Sequence, residues 1–145
     1  MTVCPVQPGD KEEWLRLRFA LWPDSTLEEL RLELDEIFTG DKQAVFVIPR
    51  PNGELGGFLE VSLRSVAEGC NTSPVGYIEG WYIDPDLRLH GYGADLVKAA
   101  ETWAKEKGCQ EMASDCLVDN IVSLQAHIAL GYQEVERLIH LRKDL

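Results

Sequence analysis

Ile83-Asp84-Pro85-Asp86-Leu87-Arg88-Leu89-His90-Gly91-Tyr92-Gly93-Ala94 is the stretch on which the reading of the chain turns. It leaves an apolar run, Val75 to Ile83, and opens an amphipathic one, Gly91 to Lys107. Gly91 and Gly93 permit a tight turn and let a ligand come close to the backbone. The first amides of a helix have no partner inside it and carry the positive end of its dipole. A strand, a glycine loop and a helix start, in that order, make a phosphate cradle. Glycines of this spacing also occur in plain turns. Arg88, the spacing and the strand–loop–helix context favour the cradle.

Working outward, Val75 to Ile83 has the long apolar content of a central strand. The helix after the loop puts Leu96, Ala100, Trp103 and Ala104 on one face and stops at Gly108. Cys109 to Ser114 is then a short strand, so Val75 to Ser114 makes a right-handed crossover joining two parallel strands. Ligands of such sheets bind at the carboxyl ends of the strands. Upstream, Val3 to Val6 reads as a short strand and Asp10 with Glu13 as a capping box. Trp14, Leu17, Arg18 and Leu21 share a helix face up to Pro23. Ser25 and Thr26 cap a second helix carrying Leu27, Leu30, Leu34 and Ile37. Ala44 to Ile48 and Glu54 to Arg64 form a hairpin around Asn52-Gly53. Downstream, Asp119 caps a helix to Leu130 with Ile121, Leu124 and Ile128 inward, and Tyr132 to Leu141 is a last strand. The order is β-α-α-β-β-β-α-β-α-β, an α/β fold in a single domain over residues 1–145.

Composition narrows the function classes. The chain has 145 residues, 45% hydrophobic and 27% charged, as an ordinary globular domain does. No run approaches a membrane span, and Met1-Thr2-Val3-Cys4-Pro5 has no export signal, so a cytoplasmic, reducing setting is expected. Cys4, Cys70, Cys109 and Cys116 form no CxxC pair, which leaves zinc unsupported and free thiols as the default. The net charge of −11 argues against a nucleic-acid partner. It suits a cationic ligand, and equally suits mere solubility.

The glycine stretch closely resembles the acetyl-CoA motif of the GNAT superfamily of N-acetyltransferases, Arg/Gln-x-x-Gly-x-Gly/Ala after a strand and a proline. Arg88, Gly91 and Gly93 fill its fixed positions. Asn120, the helix after it and Leu130-Gly131-Tyr132 look like the second motif of that superfamily. Within the superfamily the chain is similar to the aminoglycoside 6'-N-acetyltransferases. The similarity lies in Leu21-Trp22-Pro23, Thr72-Ser73-Pro74-Val75, Glu79-Gly80, Glu111-Met112-Ala113-Ser114-Asp115 and Glu134-Val135-Glu136-Arg137. The resemblance implies a twisted, mostly antiparallel sheet with a splayed parallel strand pair and flanking helices. It implies acetyl-CoA as cosubstrate in the opening, no metal, and an aminoglycoside or similar cationic small molecule as acceptor, acetylated on its 6'-amine with antibiotic resistance as the result. It also implies a homodimer in which the C-terminal strand reaches a neighbour's site.

By the same resemblance, Trp81, Tyr82 and Ile83 line the pantetheine, and the Ile83 amide is the oxyanion donor. Leu89, His90, Gly91, Tyr92, Gly93 and Ala94 surround the pyrophosphate with Arg88, and Asn120 touches the pantetheine arm. Period-two alternation sends Trp81 and Tyr82 to opposite faces and puts Glu79, Trp81 and Ile83 on one. A carboxylate in an apolar strand needs a partner or water, so Glu79 is a candidate to bind the substrate ammonium and take its proton. Asp115, at the end of the next parallel strand, is expected at the same opening. Trp22, Ser25 and Glu136 match substrate-side positions, with helix capping the competing role for Ser25. Many GNAT enzymes have a tyrosine four residues before the second-motif glycine. His127 stands there, either as the acid that protonates the leaving thiolate or as a packing residue. Val66 departs from relatives with an aromatic residue near that point. The alternatives to an aminoglycoside enzyme are a GNAT acting on another polyamine or a protein amine, and a CoA-binding sensor without turnover.

Overall fold

β-branched and aromatic residues dominate Gln43–Pro49 and Val75–Ile83, while Leu55–Arg64 between them is apolar through Leu55, Phe58, Leu59, Val61 and Leu63; these become the long strands of one sheet. The computed structural model describes residues 1–145. The strands are β1 (Cys4–Pro5), β2 (Gln43–Pro49), β3 (Leu55–Arg64), β4 (Val75–Ile83) and β5 (Met112–Ser114). The helices are α1 (Lys11–Leu21), α2 (Leu27–Thr39), α3 (Tyr92–Glu106) and α4 (Ile121–Ala129). The strands lie in the order β1-β2-β3-β4-β5, antiparallel throughout except for the parallel β4–β5 pair. No helix is long and apolar enough to cross a membrane.

Two apolar layers sandwich the sheet. On one face Trp14, Leu17, Leu30 and Leu34 of α1 and α2 pack on Val45, Val47 and Phe58. On the other, Leu96, Val97 and Ala100 of α3 pack on Ile48, Leu59, Val61 and Ile78. α2 begins with Thr26, which accepts from the Glu29 amide while Glu29 reaches back. The cap is therefore Thr26 alone, and Leu27, in the first turn, is exposed rather than on the buried stripe.

Four further expectations are corrected. β1 shrinks to Cys4–Pro5: one more bond follows, from the Val6 amide to the Val45 carbonyl, and the chain then leaves the sheet through a helical turn at Pro8–Asp10. Asn120 rather than Asp119 caps α4, accepting from the Ser123 amide. α4 buries His127 and leaves Ile121 and Ile128 exposed, because its inward face meets the polar end of β5. The strand expected over Tyr132 to Leu141 does not form. A strand needs a ladder partner, and this segment lies against no sheet edge of its own chain. Its Val135, Leu138, Ile139 and Leu141 are exposed.

The layer under α1 contains an ion pair. Glu60, in β3, accepts from Trp14 Nε1 at 2.9 Å and from Arg18 Nη1 at 3.0 and 2.9 Å, all within the core. Arg18 Nη2 also reaches Glu33 at 2.5 Å, while its Nε is buried without a partner. Burial pushes the Glu60 carboxyl up to about 7, against the opposing pull of the Arg18 charge and the Trp14 hydrogen bond. A carboxyl raised in this way takes up a proton on folding. Its contribution to stability is full below its ordinary value near 4.5 and is lost as pH rises through 7. Glu60→Gln keeps a neutral polar group in the place of the protonated carboxyl, with Arg18 still paired to Glu33, and should match the wild type near pH 4.5 within about 1 kcal/mol. It should also lack the wild-type decline between pH 4.5 and 7. Denaturant titrations across that range check both.

Candidate active site

β4 has one residue more than β3 opposite it. Glu60 pairs with Gly80 but Val61 pairs with Ile78, so Glu79 is the extra residue of a bulge. The bulge breaks the period-two pattern. Glu79 and Gly80 both turn to the α1 face, where a β-carbon on Gly80 would meet the Trp22 ring at 2.6 Å. Trp81 and Ile83 pack on the α3 side, so Glu79 does not share their face. Tyr82 packs on the α1 side, opposite Trp81.

The bulge coincides with a parting of strands. β4 and β5 pair only at Gly76–Met112, Tyr77–Ala113 and Ile78–Ser114, and beyond Ile78 the far edge of β4 is vacated. The Asp84 amide donates to the Gly56 carbonyl, so Ile83–Gly57 is a non-hydrogen-bonded pair of the antiparallel ladder. The Ile83 amide and carbonyl therefore point away from β3 into the opening. Arg88 Nε takes the carbonyl at 2.9 Å. The Trp81 amide has the same orientation by the same alternation.

The glycine loop lies at the end of this slot. Gly91 has φ of +86° and caps α3, and Leu89, fully exposed, has φ of +64°. A leucine in the left-handed region is strained, and such strain gathers at ligand-holding turns. The first helical hydrogen bond runs from the Asp95 amide to the Gly91 carbonyl, which leaves the amides of Tyr92, Gly93 and Ala94 unspent. A β-carbon on Gly93 would meet the Trp81 ring at 3.1 Å, and the buried Trp81 Nε1 has no partner. Free amides over an unpartnered donor, with glycine where a side chain would intrude, fit an acceptor-rich phosphate arm. His90 is exposed on the loop, its ring 6.5 Å from Tyr92.

On the α1 side the charged groups converge. Glu79 Oε2 accepts from Ser62 Oγ at 2.5 Å and Arg64 Nε at 3.0 Å, and Oε1 accepts from Arg64 Nη2 at 2.6 Å. The Arg64 guanidinium lies 3.5 Å from the ring centre of buried Tyr77. Tyr77 donates its hydroxyl to Asp115 Oδ2 at 2.8 Å, and burial, then that carboxylate, push its phenol up. Glu79 and Asp115 are thus joined through Arg64 and Tyr77. Trp22, held edge-on to Phe58 with Arg18 over its ring, lines a cavity of about 550 Å³ with Glu33, Glu36, Lys42, Glu60 and Glu79.

The remaining candidates are more scattered. His127 is buried, edge-on to both Trp81 and Tyr132. Its Nδ1 lies 2.7 Å from the Ser123 carbonyl, to which it donates, and its Nε2 lies 2.7 Å from Ser114 Oγ. Both ring nitrogens are therefore occupied within the protein. Asn120 uses its side-chain oxygen to cap α4 and keeps its amide donors free. Ser25 is half-buried and donates its amide to the Trp22 carbonyl, but does not cap α2. Glu136 is exposed on the C-terminal segment. No cluster of three or more His, Cys, Asp or Glu side chains is placed to hold a metal ion.

Residues 11–132 match the model of the acetyltransferase (GNAT) family. The chain belongs to that family. As an acetyltransferase it is 43% identical to aminoglycoside N(6')-acetyltransferase type 1 of Klebsiella aerogenes, over 99% of this chain and 96% of that one. It is 39% identical to the enzyme of the same name from Stenotrophomonas maltophilia, over 99% and 94%. Among solved structures it superposes on AAC(6')-Iy in complex with the bisubstrate analogue CoA-S-monomethyl-acetylneamine. The TM-score is 0.92 at 35% identity, covering 99% of this chain and 97% of that one. The apo 6'-N-acetyltransferase AAC(6')-IG of Acinetobacter haemolyticus gives 0.92 at 32% identity, over 100% and 99%.

Sequence reasoning missed Ser62, Arg64 and Tyr77, the partners of the two carboxylates. Ser62 and Arg64 share a β3 face, which alternation alone would suggest. Their meeting with Glu79 needs the bulge, and a one-residue bulge leaves no mark in the hydrophobic pattern. Gly80 is the position where the acetyltransferase site can be probed through packing. Gly80→Ala places its methyl against the Trp22 ring, at a cost of about 1–3 kcal/mol for overpacking. Thermal melts and near-ultraviolet circular dichroism should show a lower Tm and an altered tryptophan signal. An unchanged Tm would mean that Trp22 leaves this face freely.

Proposed function

We propose that this acetyltransferase transfers the acetyl group of acetyl-CoA to the 6'-amino group of aminoglycosides, and so confers resistance to them. One geometric observation carries the reading. β4 offers backbone amides to a slot on its vacated edge and, at the same level, a carboxylate to an acidic cavity beside Trp22. A thioester arm fits the slot and a polycationic sugar fits the cavity. The relatives that act on the 6'-amine of aminoglycosides match over nearly the whole chain, and one is bound to a joined CoA–aminoglycoside analogue. The whole of residues 1–145 acts as one acetyltransferase domain in this reading.

Bound acetyl-CoA supplies an activated acyl carbon and a thiolate leaving group. The protein's part is to hold the two reactants and to manage charge. The loop opened by Arg88, whose own amide is spent on the Pro85 carbonyl, holds the pyrophosphate through the amides of Leu89, His90, Gly91, Tyr92, Gly93 and Ala94. The Trp81 amide and the free amide donors of Asn120 align the pantetheine arm, with the Trp81 ring on the α3 side of the strand and the Tyr82 ring on the α1 side. The Ile83 amide donates to the oxygen that becomes negative as the amine attacks. Glu79 receives the amine and accepts its proton directly or through water. Asp115 anchors a second ammonium group, while Trp22 and Ser25 border the sugar. His127, with both nitrogens engaged, holds α4 against β4 and β5 rather than moving a proton. Coenzyme A thiolate leaves without that help.

Two further parts of the reading concern assembly and setting. The exposed apolar segment from Val135 to Leu141 and the unpaired outer edge of β5 suit a homodimer in which one copy's C-terminal segment covers the other and brings Glu136 to its site. Leu138→Asp with Ile139→Asp should then convert a sedimenting dimer to monomer. A wild type that sediments as monomer would end this part. All four cysteines are free, consistent with the reducing cytoplasm.

The decisive assay is thiol release from acetyl-CoA with tobramycin or kanamycin, with the acetyl group then located by NMR. Asp115→Asn should mainly raise KM, because an anchor acts equally in the ground and transition states. Glu79→Gln should lower kcat roughly 10²–10⁴-fold if it accepts the proton. Gly93→Val should raise the KM for acetyl-CoA. Thiol release with polyamines or peptides and none with aminoglycosides would replace the substrate. CoA binding without thiol release on any amine would leave a sensor.

A further inference from the structure

The acceptor amine presents a conflict. An aliphatic amine is mostly protonated at pH 7, yet only the neutral form attacks a thioester. A bare carboxylate beside it favours the ammonium and makes the problem worse. Glu79 is not bare. Arg64 engages both of its oxygens, and Ser62 adds a third hydrogen bond on Oε2. The guanidinium cannot drift freely, because its carbon lies 3.5 Å from the ring centre of Tyr77, itself buried and tied to Asp115.

We propose that Arg64 is a positioning and specificity-determining residue of the acetyl transfer, a built-in counter-ion that lets Glu79 receive a neutral amine while disfavouring an ammonium at the same point. The inference rests on the reading that places the reacting nitrogen at Glu79. A neutral amine can donate to a remaining lone pair of Glu79 without meeting net charge. An ammonium there meets the guanidinium as a like charge. Asp115 differs. Its bonded partner is a neutral phenol and Arg64 acts on it only at longer range, without an ion pair, so it remains the better anion for a distant ammonium of the same sugar.

The surrounding charges leave this division intact. From α1, Arg18 faces the cavity but is tied to Glu60 of β3. From α2 come Glu33 and Glu36, from the α2–β2 turn Lys42, and from the β3–β4 loop Glu68, which acts on Tyr77. The balance is acidic and draws a polycation in as a whole. Only Arg64 sets a positive charge in direct contact with Glu79.

The test is the pH dependence of kcat and KM for tobramycin with Arg64→Met, Arg64→Gln and Arg64→Lys, read by thiol release between about pH 6 and 9.5. Without the guanidinium, Glu79 holds the ammonium more firmly. Arg64→Met and Arg64→Gln should lower KM, move the acidic limb of the kcat profile up by about one pH unit, and lower kcat at pH 7 about tenfold. Their kcat should rejoin the wild type at the alkaline end. Arg64→Lys keeps the charge and should follow the wild type. If Arg64 only braces the sheet, kcat falls by one factor at every pH or KM rises with a lower Tm, and the role is overturned. An active wild type whose profile both uncharged variants reproduce overturns this role alone. A wild type inactive on every aminoglycoside overturns the substrate reading and this role with it. Should Arg64→Met not fold, Arg64→Gln decides.

Discussion

A single extra residue in β4 is the constraint on which the rest of the site depends. A regular strand would send Glu79 and Trp81 to the same side and keep β4 parallel to β5 along its length. The bulge at Glu79–Gly80 puts a carboxylate and a glycine side by side on the α1 face and coincides with the point where β4 and β5 part. The gap is tolerable because the exposed backbone groups of Trp81 and Ile83 lie where a ligand can satisfy them. Glycine at 80 is demanded by the ring of Trp22, which occupies the place of any side chain there.

The α1 side is held by charge as much as by packing. Arg18 connects Glu60 in the sheet to Glu33 on α2 and covers one face of Trp22. This buried pair brings helix, strand and Trp22 into one rigid unit. A pair of this kind contributes less to stability than to a unique arrangement, since its desolvation cost offsets much of its attraction. Its neighbour, the Arg64–Glu79 pair, is half-exposed and open to an incoming cation. The two pairs lie one above the other on the same face of β3, one sealed and one accessible.

Much of this was legible in the sequence, for identifiable reasons. The glycine loop, β4 from Val75 to Ile83 and the helix after it are carried by local signals: residue type, spacing and breakers. Helix ends with a true capping residue were read within a position or so, as at Thr26 and Asn120. What escaped depends on partners distant in sequence. The face of Glu79 depends on a bulge, and the partners of Glu79 and Asp115 on the register of β3 against β4. The C-terminal segment has the residue pattern of a strand, yet within one chain no edge receives it. The buried face of α4 went to His127 instead of the isoleucines, because Ser114 and the Ser123 carbonyl compensate both of its nitrogens.

The two halves of the site are written in different materials. The slot on the vacated edge of β4 is made of main chain: strand amides, helix-start amides and a loop that needs glycine. The cavity on the α1 side is made of side chains, chiefly from α1, α2, β3 and β4, with Asp115 linked to it through Arg64 and Tyr77. A point mutation cannot easily rewrite a peptide group, but it can replace Trp22, Glu36 or Asp115 one at a time. On the proposed assignment of the two halves, the acyl donor is therefore buffered against mutation while the acceptor is exposed to it. In this fold, the range of accepted amines can drift under selection with the use of coenzyme A left intact.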